Sequence, residues 1–216
     1  MQGDVLWKAA ILTAVVFAGG LGVGVWMDTA RTDSVQEKIT EIDLQWNDAR
    51  LQSLYYGSLN DSASCEAAIR ANLDFNDKIY AQGQDIQKYE DVNRFAPQLI
   101  QEKRRYALLQ LQFWLNSIDL KKRCGADYTT VAYFYSHYNQ SAEMDQKLQS
   151  AVLTQLKAEC GNSVLLVPLP MDLDLTSVEL LKGRYGITSA PSILLDESKV
   201  LRGLQGLPEM EALVKC

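Results

Sequence analysis

Four cysteines, Cys65, Cys124, Cys160 and Cys216, and a single histidine, His137, are the side chains of this sequence with the widest chemical reach. No two cysteines stand in a CxxC spacing and none pairs with the histidine at a ligand spacing, so neither a redox dithiol nor a zinc site is written locally, and no metal is expected. His137 as a general base would need a nucleophile such as Ser136 or Ser141 and a third group to orient it. No signature supplies one, and His137 is expected to be a solvated loop residue. No phosphate-cradling loop, paired-carboxylate signature or triad pattern occurs either, and no cofactor is expected. An even number of cysteines leaves two disulfides or four buried thiols, and the redox compartment decides between them.

The elements that must position these residues come from a chain of 216 residues, 47% apolar and 22% charged. That suits one medium or two small domains and is too apolar for a disordered chain. The net charge of 21 − 27 = −6, without a basic cluster, excludes an extended nucleic-acid surface.

Residues 9–27 form a charge-free run that as a helix rises about 28 Å, close to the hydrocarbon thickness of a bilayer. Trp7 and Trp26 flank it at headgroup depth. The pattern predicts an N-terminal transmembrane helix over 9–27, with membrane lipid as its partner. The alternative is a cleaved signal peptide ending near Ala18-Gly19-Gly20. Lys8 precedes the run, while Asp28, Asp33 and Glu37 follow it. This predicts a short cytoplasmic tail over 1–8 and a single-pass membrane protein whose C-terminal body lies outside the cytoplasm. Gly20 and Gly24 have the spacing that lets two such helices approach, which would support a homodimer.

Residues 28–124 read as an extracytoplasmic helical domain, a bundle or hairpin. Ile39, Ile42, Trp46, Leu51, Leu54 and Tyr55 mark one stripe, ended by Gly57. Cys65, Ala68, Ile69, Leu73, Ile79 and Tyr80 mark a second helix stopping near Gly83, with a less regular stretch over Ile86 to Phe95. Pro97 opens a third helix that carries Leu99, Tyr106, Leu109, Phe113 and Leu120 and closes at Lys121-Lys122-Arg123 before Gly125.

After Tyr128 the period changes. Strand signals at 129–135, 163–169, 192–195 and 200–204 alternate with helical stretches at 141–159, 177–185 and 208–215, a β-α-β-α-β-β-α order. With that order, Tyr133-Phe134-Tyr135-Ser136 and Tyr185-Gly186-Ile187-Thr188-Ser189-Ala190-Pro191-Ser192 resemble the thioredoxin family, the first as the strand entering the redox loop and the second as the segment with a cis-proline. The resemblance covers 127–216 and makes the chain α+β overall, helical first and α/β thioredoxin-like at its C-terminal end. It implies a cis bond before Pro191. It also places the redox pair in Ser136-His137-Tyr138-Asn139-Gln140-Ser141-Ala142, where Asn139 and Ala142 stand in the matching places. Neither residue supplies a thiolate, so the usual site is expected to be redox-inactive, and the chain is read as a binding module rather than an enzyme. Asn139 or Ser141 is expected to cap the next helix.

Two antiparallel helices would bring Cys65, near the start of one, to Cys124, at the end of the other. The thioredoxin resemblance implies that the helices ending at Cys160 and Cys216 finish at the pole opposite the loop. The expected bridges are therefore Cys65–Cys124 and Cys160–Cys216, with free buried thiols as the alternative. Asn60 and Asn139 each begin an N-x-S sequon. The resulting functional reading is a membrane-anchored, redox-inactive thioredoxin-like module that binds another protein or a membrane complex. One alternative is a thiol-disulfide oxidoreductase or relay using Cys65 and Cys124. Another is a scaffold subunit of a membrane complex.

Overall fold

Runs of β-branched and aromatic residues after Tyr128 form a four-stranded sheet. β1 (Thr129–Tyr135) pairs in parallel with β2 (Val164–Pro170), from Thr129 opposite Val164 to Tyr135 opposite Pro170. β3 (Ser192–Leu195) is antiparallel to β1, and β4 (Lys199–Arg202) antiparallel to β3, giving the order β2-β1-β3-β4. The computed structural model describes residues 2–58, 62–93, 97–214 and 216. The sequon residue Asn60 lies outside the described residues.

Three helices precede the sheet, α1 (Gln2–Tyr56), α2 (Ser62–Asn93) and α3 (Pro97–Cys124). Three more connect or follow its strands: α4 (Glu143–Cys160) after β1, α5 (Thr176–Tyr185) after β2 and α6 (Leu207–Glu211) after β4. Side chains alternate across the strands. Val131, Tyr133, Ile193 and Leu195 share one core with Leu153 and Leu156 of α4 and Met210 of α6. Ala132, Phe134 and Leu194 point the other way, into a core with Leu165, Val167 and Leu169 of β2 and with Leu109, Phe113 and Trp114 of α3. The β3–β4 turn places Asp196 and Glu197 at φ of 43° and 52°. Asp196 pins that turn, its Oδ1 accepting from the Thr130 N–H at 2.9 Å and from Lys121 Nζ at 2.9 Å.

The chain divides into two compact units, Met1–Glu41 and Ile42–Cys216. The transmembrane helix expected over 9–27 is not supported: among the described residues no helix is long and apolar enough to cross a membrane. The apolar run is not an element of its own, because α1 continues through Asp28, Arg31, Asp33, Glu37 and Lys38 to Tyr56. The single-pass location, with its cytoplasmic tail and bilayer partner, loses its basis with the anchor. At Gly20 and Gly24 a Cβ would meet no other atom within 4 Å, so neither serves a close approach within the chain.

In the second unit the helical stripes differ from the expected ones in two places. Ile42, Ala49 and Tyr56, spaced seven apart, are the buried residues at the end of α1, whereas Leu51, Leu54 and Tyr55 are 64%, 72% and 58% exposed. A seven-residue spacing drifts little around a helix, so it keeps one face against a neighbour over its length. Helix α2 also does not stop at Gly83 but continues through the irregular stretch to Asn93. Gly83 serves packing rather than termination: a Cβ there would collide with the Tyr106 hydroxyl, which donates to the Ile79 carbonyl at 2.8 Å. Polar bonds cross the helical layer as well. Asn116 Nδ2 donates to the Ala49 carbonyl at 2.7 Å, Ser117 Oγ to Asn72 Oδ1 at 3.1 Å, and Tyr128 Oη to the Ser117 carbonyl at 2.7 Å.

Two disulfides tie the ends. Cys65–Cys124 joins the start of α2 to the end of α3, beside the small core of Tyr56, Ala68 and Leu120. Cys160–Cys216 joins the end of α4 to the last residue of the chain. The first bridge spans 59 residues of sequence, and closing so long a loop restricts the unfolded chain by about 4 kcal/mol. The double substitution Cys65→Ser/Cys124→Ser is expected to lower the unfolding free energy by about 2–4 kcal/mol in urea titration. A change below about 1 kcal/mol would mean that the helical layer holds α2 and α3 together without the bridge.

Candidate functional site

Parallel strands β1 and β2 end side by side, and both following segments turn over the same edge of the sheet. The β1–α4 loop begins at Ser136, and Asp172 follows the end of β2 at Pro170. One Asp172 carboxylate organises the loop. It accepts the N–H of His137 at 2.8 Å and of Tyr138 at 2.9 Å, and also the Ser136 hydroxyl. The Ser136 N–H turns the other way, onto Gln146 of α4. Ser136 Oγ then accepts the Asn139 N–H at 2.9 Å. Burial alone would raise the Asp172 carboxyl, but these donors outweigh it and hold it below the usual carboxylate range.

The loop enters α4 through a 3-10 turn over Gln140–Ala142. Ala142 takes the N-cap position of α4 with no side-chain bond, so neither Asn139 nor Ser141 caps that helix. Asn139 acts one step earlier, its Oδ1 accepting the Ser141 N–H at 3.0 Å. Tyr138 and Ser141 are exposed.

His137 is not the solvated residue expected: it is 0% exposed. Its Nδ1 lies 3.0 Å from Lys103 Nζ and 3.1 Å from Glu90 Oε1. These two contacts are alternatives, since an unprotonated Nδ1 accepts from the ammonium and a protonated one donates to the carboxylate. Lys103 itself donates to both Glu90 oxygens at 2.8 Å and lies 5.2 Å from the centre of the Tyr135 ring. Burial pushes the Glu90 carboxyl up, but the His137 hydrogen bond and the Lys103 charge overcome it and bring it down to about 2. The cluster ties α2 and α3 to the loop through charge-assisted hydrogen bonds. It offers no access to a substrate at His137.

Pro191 stands next to the loop, because Ser192 is paired with Phe134 at the end of β1. The Ala190–Pro191 bond is cis. The Pro191 carbonyl accepts the Gly203 N–H at 2.9 Å, and Ser192 Oγ donates to the Ser189 carbonyl at 2.7 Å. The four cysteines lie elsewhere. Cys160 is at the far end of α4, roughly 26 Å along the helix from the loop, and Cys65 and Cys124 close the helical layer. Among the described residues no group of three or more His, Cys, Asp or Glu side chains could hold a metal ion.

Three residues of this site were not singled out by the sequence, namely Glu90, Lys103 and Asp172. Glu90 falls in the stretch read as irregular, and Asp172 in a segment with no period. Lys103 carried a signal. It stands four residues after Leu99 and three before Tyr106, on the buried stripe of α3, and is 3% exposed.

Both carboxyls are depressed in the folded chain, so each contributes stability that is present above its unfolded value and lost as pH falls toward its folded one. For Glu90 that window runs from 4.5 down to about 2. Acid titration of the unfolding free energy is expected to show a loss on the order of 2–3 kcal/mol across it. Asp172→Asn, which keeps the size but weakens three accepted bonds, should cost about 1–3 kcal/mol at pH 7. A wild-type free energy flat between about pH 5 and pH 2.5 would show that the cluster contributes nothing.

No protein-family model matches the chain, and no curated protein sequence does. Among solved structures it is similar to a malarial protein at 22% identity and a TM-score of 0.31, over 40% of this chain and 92% of that one. It is likewise similar to a germline-specific thioredoxin of Drosophila melanogaster at 19% identity and a TM-score of 0.30, over 44% of this chain and 86% of that one. The similarity to thioredoxin is weak.

Proposed function

We propose that the chain is a redox-inactive thioredoxin-like module that binds an extended segment of another protein beside Pro191. The observation that carries this reading is the placement of sulfur. All four cysteines are consumed in two disulfides, and the loop beside the cis-proline holds none. A loop without a thiolate cannot form the mixed disulfide on which exchange depends. The surface around it still suits an extended chain, which binds through backbone hydrogen bonds with pockets for alternate side chains. Thr188 and Ser189 are exposed just before Pro191. Apolar surface for side chains is supplied by Tyr138, Met144 and Leu148, which are 48%, 69% and 48% exposed along the loop and the first turns of α4. Relay chemistry through Cys65 and Cys124 finds less support, since that bridge packs beside Tyr56, Ala68 and Leu120 at the end of the helical layer, away from the loop.

The unreduced chain is expected to show no alkylatable thiol and no turnover of a disulfide substrate above background. Peptides selected for binding to the folded chain should crosslink to a photoreactive residue at position 189 and not to one at position 199 on β4. Disulfide turnover that disappears in Cys65→Ser would overturn the reading. So would a selection whose binders all label away from position 189.

A further inference from the structure

The β1–α4 loop carries one residue whose reactive atom is left over. Asn139-Gln140-Ser141 has the N-x-S spacing, with no proline at its middle position. Such triplets also arise by chance, and local geometry separates an acceptor from a coincidence. Asn139 is exposed, as are Tyr138 and Ser141 on either side of it. Its backbone N–H is taken by Ser136 Oγ at 2.9 Å, and its Oδ1 accepts the Ser141 N–H at 3.0 Å. Only the oxygen of a side-chain amide can accept from an N–H, so this contact settles which end of the Asn139 amide is engaged. The other end, Nδ2, has no partner among the described residues.

We propose that Asn139 is an acceptor for an N-linked oligosaccharide, joined to the chain at Nδ2. The Ser141 N–H turns the side chain back onto its own backbone as an Asx turn. It also draws electron density toward Oδ1, which stabilises the amide as Nδ2 gives up a proton. The donor is a lipid-linked sugar phosphate. The bond between its anomeric carbon and the phosphate oxygen breaks, and the same carbon bonds to Nδ2. The lipid phosphate leaves with the electron pair and takes up the proton that Nδ2 loses, so nothing is oxidised or reduced. Ser141 contributes the hydroxyl that completes the sequon. A sugar on Nδ2 displaces no bond that shapes the loop, because Asp172 holds Ser136, His137 and Tyr138, and Ala142 takes the N-cap of α4. The two disulfides point the same way, since they form under the oxidising conditions of the compartments in which such glycans are added. The inference uses neither a membrane span nor a partner at Pro191, and its test reads a mass at one residue.

The test is made on the full chain, expressed behind a cleavable secretory signal in cells that perform N-glycosylation. Molecules with both disulfides closed are digested and mapped by mass spectrometry before and after treatment with a peptide N-glycosidase. The wild type is expected to carry a glycan at Asn139, and the glycosidase to leave an aspartate in its place. Asn139→Gln and Ser141→Ala should lose the glycan, whereas Ser141→Thr, which keeps the hydroxyl, should retain it. A disulfide-closed wild type with a bare Asn139 overturns the proposal, whatever stands on the other sequon at Asn60. A glycan found only on molecules with free thiols also overturns it, because the folded chain would then not bear the sugar. Persistence of the glycan in Ser141→Ala does the same. Should no chain be secreted, the same map of disulfide-closed chain recovered from the cells decides, and it rests on the wild type alone if a variant fails to fold.

Discussion

Helix α3 packed across one face of the sheet is the contact on which the other elements of the second unit depend. Trp114, Leu109 and Phe113 are 0–1% exposed where they meet Phe134, Leu194 and the inner residues of β2. Each such side chain removes apolar area worth about 2–3 kcal/mol from water, and together they fix the rotation of α3 about its own axis. That rotation settles everything α3 carries on its other sides. Asn116 meets Ala49 of α1, Ser117 meets Asn72 of α2, and Lys103 comes to lie over the end of β1.

The same rotation imposes the least comfortable feature of the fold, a lysine on a buried stripe. A buried ammonium is tolerated only with its charge matched and its donors used. Glu90 matches the charge with both oxygens, and the Tyr135 ring and His137 Nδ1 lie beside it. His137, buried, meets both Lys103 of α3 and Glu90 of α2 there. In this way a packing decision made at Trp114 propagates to the β1–α4 loop, where the Asp172 carboxylate holds two backbone N–H groups and a hydroxyl. Sulfur serves only as staples, one at the end of the helical layer and one at the end of α4.

How far the sequence could be read varies with the range of the interaction that each residue answers to. Thr129 to Tyr135 and Ser192 to Leu195 show themselves as strands because β-branched and aromatic runs have a local period, and Pro97 and Lys121-Lys122-Arg123 mark the ends of α3 for reasons within one turn. Gly83 misleads because a glycine that admits the Tyr106 hydroxyl looks the same in sequence as a glycine that ends a helix. Leu51, Leu54 and Tyr55 mislead because hydrophobicity says that a stripe exists, not which neighbour is present to bury it. The apolar run at 9–27 misleads in a related way. Local composition predicted an isolated span, whereas the backbone continues as one helix into charged residues.

By itself, then, the sequence determined the order of helices and strands and the absence of a thiol from the β1–α4 loop, since both follow from residues adjacent in the chain. Tertiary structure decided which charges are buried and what the loop does. Glu90 and Lys103 are separated by 13 residues, Lys103 and His137 by 34, and His137 and Asp172 by 35. No local period relates them. They meet because the sheet sets the rotation of α3, and a solvated loop histidine and a buried, hydrogen-bonded one are written with the same letters.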